Sequence, residues 1–146
     1  MIDTSLFAGD GVLQQILDEV NTLMTECSKF VRMELAPTTY SHVKGYREQA
    51  DKFLDDLTQK IHEISLARHL KQRELRKTAA DMLPDAFEMY GRNRWYAENT
   101  FDGEPVVRDL KLVLESLDTC IETLTSYRWN IRDNKSQVTN MFEKTQ

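Results

Sequence analysis

Residues 107–142 read VRDLKLVLESLDTCIETLTSYRWNIRDNKSQVTNMF. Within them Val107, Leu110, Leu114, Leu117, Ile121, Leu124, Arg128, Ile131, Lys135, Val138 and Phe142 recur at alternating steps of three and four. That spacing is the seam of a long amphipathic helix that packs along its length against other helices. Two seam sites, Arg128 and Lys135, carry cations. Charged groups on a seam lower stability and set register or oligomeric state. Their expected partners are Asp18, Glu19 and Glu26 of the first helix, or acidic groups of a second subunit. The competing expectation is that both side chains bend outward and keep their heads in water.

Upstream of this seam the same pattern appears twice more. Leu13, Ile16, Leu17, Val20, Leu23, Met24, Cys27, Phe30 and Val31 form a helical stripe, with Asp10 as N-cap and Ala36-Pro37 as the stop. Helix 1 is therefore expected over 11–35. Thr38, Thr39 and Ser41 offer N-caps for a second helix, whose seam runs Val43, Tyr46, Ala50, Phe53, Leu57, Ile61, Ile64. Beyond Ile64 the heptad sites become Ala67, Lys71, Glu74 and Thr78. A thinner, shifted stripe of Leu66, Leu70, Leu75, Ala79 and Met82 runs beside them. Helix 2 is read over 41–82, with a break after Ile64 as the alternative. Pro84 suits the first turn of a short helix over 84–90, residues 91–104 form a loop, and the last helix runs 105–143.

These elements predict an all-α fold: an elongated antiparallel helical bundle, coiled-coil-like, with three long helices and one short one in a single domain over 1–146. At 1.5 Å per residue helix 2 would extend about 60 Å. A compact globule of this length is roughly 40 Å across, hence the elongated expectation. The chain has 146 residues, 40% hydrophobic and 29% charged, with only five Gly and three Pro. That composition belongs to a folded, helix-rich chain rather than a disordered or turn-rich one.

The net charge of −5 argues against generic nucleic-acid binding, but the charge is blocky. Residues 65–96 carry +3 and 128–146 carry +2, whereas 1–64 and 97–127 carry −5 each. No stretch approaches the ~18 uninterrupted apolar residues of a membrane span. The N-terminus lacks a basic region followed by an apolar run. A cytoplasmic protein with no membrane partner is expected, with Cys27 and Cys120 as buried thiols.

No catalytic constellation is legible. His62 and His69 lie seven apart, with Asp55 seven before His62. The paired Glu-x-x-His and the His-Glu-x-x-His arrangements are both absent. There is no Gly-rich phosphate loop and no Gly-x-Ser-x-Gly elbow. No catalytic residue, metal site or cofactor is expected.

What remains is surface. Val106, Leu110 and Val113 make the start of the last helix apolar on more than one face, wider than one neighbour needs. Arg92, Arg94, Trp95 and Tyr96 pair cations with aromatics in the loop, a composition suited to anchoring a partner. These seven residues are the expected partner-binding set. Arg68, Lys71, Arg73, Arg76 and Lys77 could neutralise phosphates of a nucleic acid, or could pair with Asp109, Glu115 and Asp118 of the last helix. The leading expectation is a non-enzymatic, self-associating interaction protein such as an adaptor, assembly factor or inhibitor. A nucleic-acid-binding accessory protein is the alternative.

Overall fold

The computed structural model describes Phe7 and residues 9–33, 39–90 and 104–145, with side chains to 82 in the second stretch and to 144 in the last. Three α-helices run in chain order: α1, Gly11–Val31; α2, Tyr40–Tyr90; and α3, Pro105–Thr145. No strand occurs among the described residues. The helix count differs from three long plus one short, because 84–90 continues α2. Helix 2 also runs on past Ile64 without a break. Proline removes one backbone donor and strains one turn, and the turns on either side of Pro84 keep α2 helical.

Local chemistry sets the helix ends. The Asp10 carboxylate accepts from Leu13 N at 3.1 Å and its carbonyl accepts from Gln14 N at 2.9 Å, which makes it the N-cap of α1. The chain turns into that cap through Asp10 N bonding to Phe7 O, and Phe7 is buried. At the other end Arg32 N donates to Ser28 O and Met33 N to Phe30 O, each at 3.2 Å. The i→i−3 bond tightens the last turn and closes α1 at Val31, short of the expected residue 35. Thr39 caps α2: its hydroxyl accepts from His42 N at 3.2 Å and its carbonyl from Val43 N at 3.1 Å. Pro105 occupies the first turn of α3, and Glu104 O accepts from Arg108 N at 3.0 Å.

The chain divides into two compact units, Met1–Ile64 with Cys120–Gln146, and Ser65–Thr119. In the first unit the periodic stripes turn inward. Leu17, Val20 and Cys27 of α1, Ala50, Leu57 and Ile64 of α2, and Cys120, Leu124 and Ile131 of α3 are wholly buried. Each large aliphatic side chain removed from water in this way contributes roughly 1.5–3 kcal/mol. An aromatic cluster joins α1 to α2. Phe30 stacks on Tyr46 with centroids 4.6 Å apart, and lies 5.0 Å from Phe53 in a tilted pair. Asn134 of α3 donates to Val31 O of α1 at 3.4 Å. Between α2 and α3, Tyr40 meets Phe142 and Asp51 meets Lys135.

The eleven seam sites of the last helix divide by degree of burial. Val107, Leu110, Leu114, Leu117, Leu124, Ile131 and Val138 are buried. Ile121, Arg128, Lys135 and Phe142 are half-buried.

Candidate protein-interaction surface

The second unit contains α2 from Ser65 onward and α3 up to Thr119. Between 65 and 82 no residue is buried. Ala67, Lys71, Leu75, Thr78, Ala79 and Met82 are half-buried, whereas Leu66 and Leu70 are 55% and 54% exposed. The shifted stripe is therefore split. Its two leading leucines face water, whereas Leu75, Ala79 and Met82 are half-buried, as are Ala67, Lys71 and Thr78 at the original heptad sites. Leu66 and Leu70 are one turn apart and share a face with Arg73 and Lys77. The result is a stripe of two leucines followed by two cations.

On α3 the partner-binding expectation resolves residue by residue. Val106 is 58% exposed, Val113 is half-buried, and Leu110 is buried and so does not contribute free surface. The helix turn that brings Leu110 inward with Val107, Leu114 and Leu117 leaves Leu112 on the opposite side, 42% exposed. Asp109 and Glu115, three residues to either side of Leu112, are also exposed. Arg92, Arg94, Trp95 and Tyr96 lie outside the described residues.

The basic face of α2 is not uniform. Arg68 forms an ion pair with Asp118 through Nε, its Nη2 donates to Asp118 Oδ2 at 3.4 Å, and its Nη1 donates to Gln72 at 2.9 Å. Lys71 pairs with Glu74 at 3.4 Å. Arg73, Arg76 and Lys77 are exposed, and among the described residues no carboxylate lies within ion-pair reach of them. Arg68 and Lys71 therefore belong to the chain's own ion pairs, and three cations remain for an outside anion.

Arg128 is half-buried, and Lys135 bonds to Asp51 of α2 at 2.5 Å rather than to an acid of α1. The α1 acid Glu19 instead pairs with Lys60 of α2, which also reaches Glu63 at 3.0 Å. Glu19 is held below the ordinary carboxylate value, first by the hydrogen bond from Lys60 and then by that ammonium's charge. For Lys60, burial favours the neutral amine, but hydrogen bonds to Glu19 and Glu63 outweigh it and the value rises.

The cysteines are free and buried. Burial pushes both thiols up to about 12, with the charges of Glu26 and Asp56 adding to the effect at Cys27. Such thiols are poor nucleophiles at neutral pH. Tyr46 is raised too, by burial, with Asn134 acting in the opposite direction. Among the described residues no three His, Cys, Asp or Glu side chains gather as metal ligands, and no helix is long and apolar enough to cross a membrane. His62 and His69 are both exposed.

Two surface features escaped the sequence reading. The outward turn of Leu66 and Leu70 is legible only when the 43–64 seam is carried forward unbroken. Trp129, 66% exposed on α3, has no signal in the seam at all, since it lies beside it. Comparisons of the chain with protein-family models, with curated proteins and with solved structures give no match.

Proposed function

We propose that this chain is a non-enzymatic helical interaction protein, an adaptor, assembly factor or inhibitor, that self-associates through its second unit. The pairings of Tyr40 with Phe142 and of Asp51 with Lys135 support an antiparallel, coiled-coil-like bundle as its scaffold. The observation that carries the functional reading is the exposed Leu66–Leu70 pair with Arg73 and Lys77 on the same face. Two exposed leucines one turn apart supply an apolar centre for such an association. The cations beside them select an acidic counterpart, and α3 offers one in Leu112 flanked by Asp109 and Glu115. In a second copy of the chain the two stripes are complementary in both apolar contact and charge.

Sedimentation equilibrium tests this directly. The full chain is expected to run above the mass of one chain, and Leu66→Asp with Leu70→Asp to run as one chain with its helix content unchanged. A wild-type chain that stays monomeric at high concentration overturns self-association.

A second reading rests on Arg73, Arg76 and Lys77, exposed and without an ion pair among the described residues, which suit phosphate contacts of a nucleic acid. It requires binding that weakens steeply with salt and is lost in Arg73→Glu with Arg76→Glu. Absence of salt-sensitive binding to single- and double-stranded nucleic acid removes it.

A further inference from the structure

We infer that the groove between α2 and α3 in the first unit binds a small phosphate-bearing solute of the diphosphate or polyphosphate class. The groove is shallow and open to solvent, with a volume of about 480 Å³. Arg132, Lys135, Ser136, Thr139 and Asn140 line it from α3. Their spacing of three and four places all five on one helix face. Arg47 and the apolar Leu54 line it from α2.

The chemistry of this lining selects an anion. Of its three cations Lys135 is paired with Asp51, so Arg47 and Arg132 carry the uncompensated charge of the lining, in a chain whose net charge is −5. Arg47 and Arg132 are exposed and, among the described residues, hold no ion pair. Their planar guanidinium groups can each offer two parallel N–H donors to phosphate oxygens. The Ser136 hydroxyl and the Asn140 amide are also uncommitted among the described residues, whereas the Thr139 hydroxyl is spent on Lys135 O at 3.1 Å.

Among the neighbouring acids Asp51 is paired with Lys135 and Glu48 with Lys44 at 4.0 Å, while Asp133 accepts from the neutral Gln137 at 2.9 Å and keeps its charge, which Arg47 and Arg132 outnumber. The donors from Arg132 to Asn140 extend about 12 Å along the helix. That is longer than a single phosphate, hence the linked-phosphate class. A second groove of about 390 Å³ between α1 and α2 makes the contrast: there Glu26 and Asp56 balance Lys29 and Lys52. Unlike the α1–α2 groove, the α2–α3 groove carries an excess of one sign of charge, and this focusing is what draws a small anion in.

The test is a titration of the full chain with pyrophosphate, read by amide and arginine side-chain NMR shifts. Saturable shifts at Arg132, Ser136 and Asn140 are expected, with affinity falling about tenfold or more in Arg47→Gln with Arg132→Gln. Both side chains are exposed, so this variant is expected to stay folded. Asn140→Asp, which adds a carboxylate at the groove, gives an independent loss. Vesicles of phosphatidylcholine with phosphatidic acid form the second arm, where no binding is expected. The inference is overturned by absence of shifts, by equal shifts in the double variant, by an equal response to sulfate, by shifts confined to residues 68–77, or by binding to vesicles without binding to pyrophosphate.

Discussion

Lys135 of α3 donates to Asp51 of α2 at 2.5 Å, from a position on the apolar seam. The lysine side chain is 28% exposed and the aspartate 56%. This is a partly solvated pair at the edge of the core, with its charges still in contact with water. It ties a named position of α3 to a named position of α2, and that is a register constraint more than a source of stability.

Replacing Lys135 by Met tests that distinction. A pair this exposed contributes about 1 kcal/mol or less, and Met extends the apolar seam by one site. Lys135→Met is therefore expected to be neutral or more stable by up to about 1 kcal/mol in urea unfolding. Lys135→Glu sets a like charge against Asp51 and is expected to destabilise. A large loss in the Met variant would make the ion pair a stabilising element.

Burial separates two leucines of the same helix. Leu57 has no exposed surface and Leu66 is 55% exposed. Leu57→Ala should cost about 2–5 kcal/mol, through lost transfer energy and the cavity left behind. Leu66→Ala should fall within about 0.5 kcal/mol when measured at dilution, where association does not contribute. Denaturant midpoints of the two variants decide this.

The thiols offer a probe of core integrity. With both pushed up to about 12 and both side chains buried, neither presents a reactive thiolate at pH 8. Iodoacetamide is expected to leave Cys27 and Cys120 unmodified in the native chain and to label both in denaturant. Mass spectrometry after a timed exposure reads the result. Rapid native labelling at Cys120 would mean that the start of the first unit's α3 segment opens readily.

The Lys60–Glu19 contact predicts a pH profile. Glu19 has a folded-state value below its ordinary one, so its contribution is present above the unfolded carboxylate pKa and is lost as pH falls through the folded value. Lys60 has a raised folded-state value. Its contribution is complete below the unfolded lysine pKa and is lost only as pH rises through the folded one. Stability from this pair should therefore hold across neutral pH and fall away on the acid and the strongly alkaline sides. Thermal unfolding of Glu19→Gln should lie below wild type at neutral pH and converge with it in acid. Parallel curves would mean that the pair is unlinked to folding.

The helices and their caps were largely legible from the residues. Asp10, Thr39 and Glu104-Pro105 act within three or four positions of themselves, and such short-range bonds leave a mark in the sequence. The α3 seam read from spacing lies wholly on buried and half-buried sites. The candidate surface was less legible. Leu110 was counted with Val106 and Val113, but 100° per residue carries it to the inner side with Leu114 and Leu117. Leu66 and Leu70 were read as part of a thinner stripe shifted from the seam. They face out because α2 continues through Ile64 with its period intact.

Periodicity and capping thus established that the chain is helical, where each helix begins, and which stripe of α3 it buries, since all three follow from interactions local along the chain. Which charges meet is a different matter. Lys135 with Asp51 and Lys60 with Glu19 each join residues from separate helices, as does Arg68 with Asp118, one of three acids the sequence offered it. Many cation–acid pairings are equally compatible with the same sequence, and Coulomb attraction does not rank them until packing has brought particular faces together. The α2–α3 groove arises in the same way: Arg47 meets Arg132, Ser136 and Asn140 only because the two helix faces that carry them are adjacent in the folded unit.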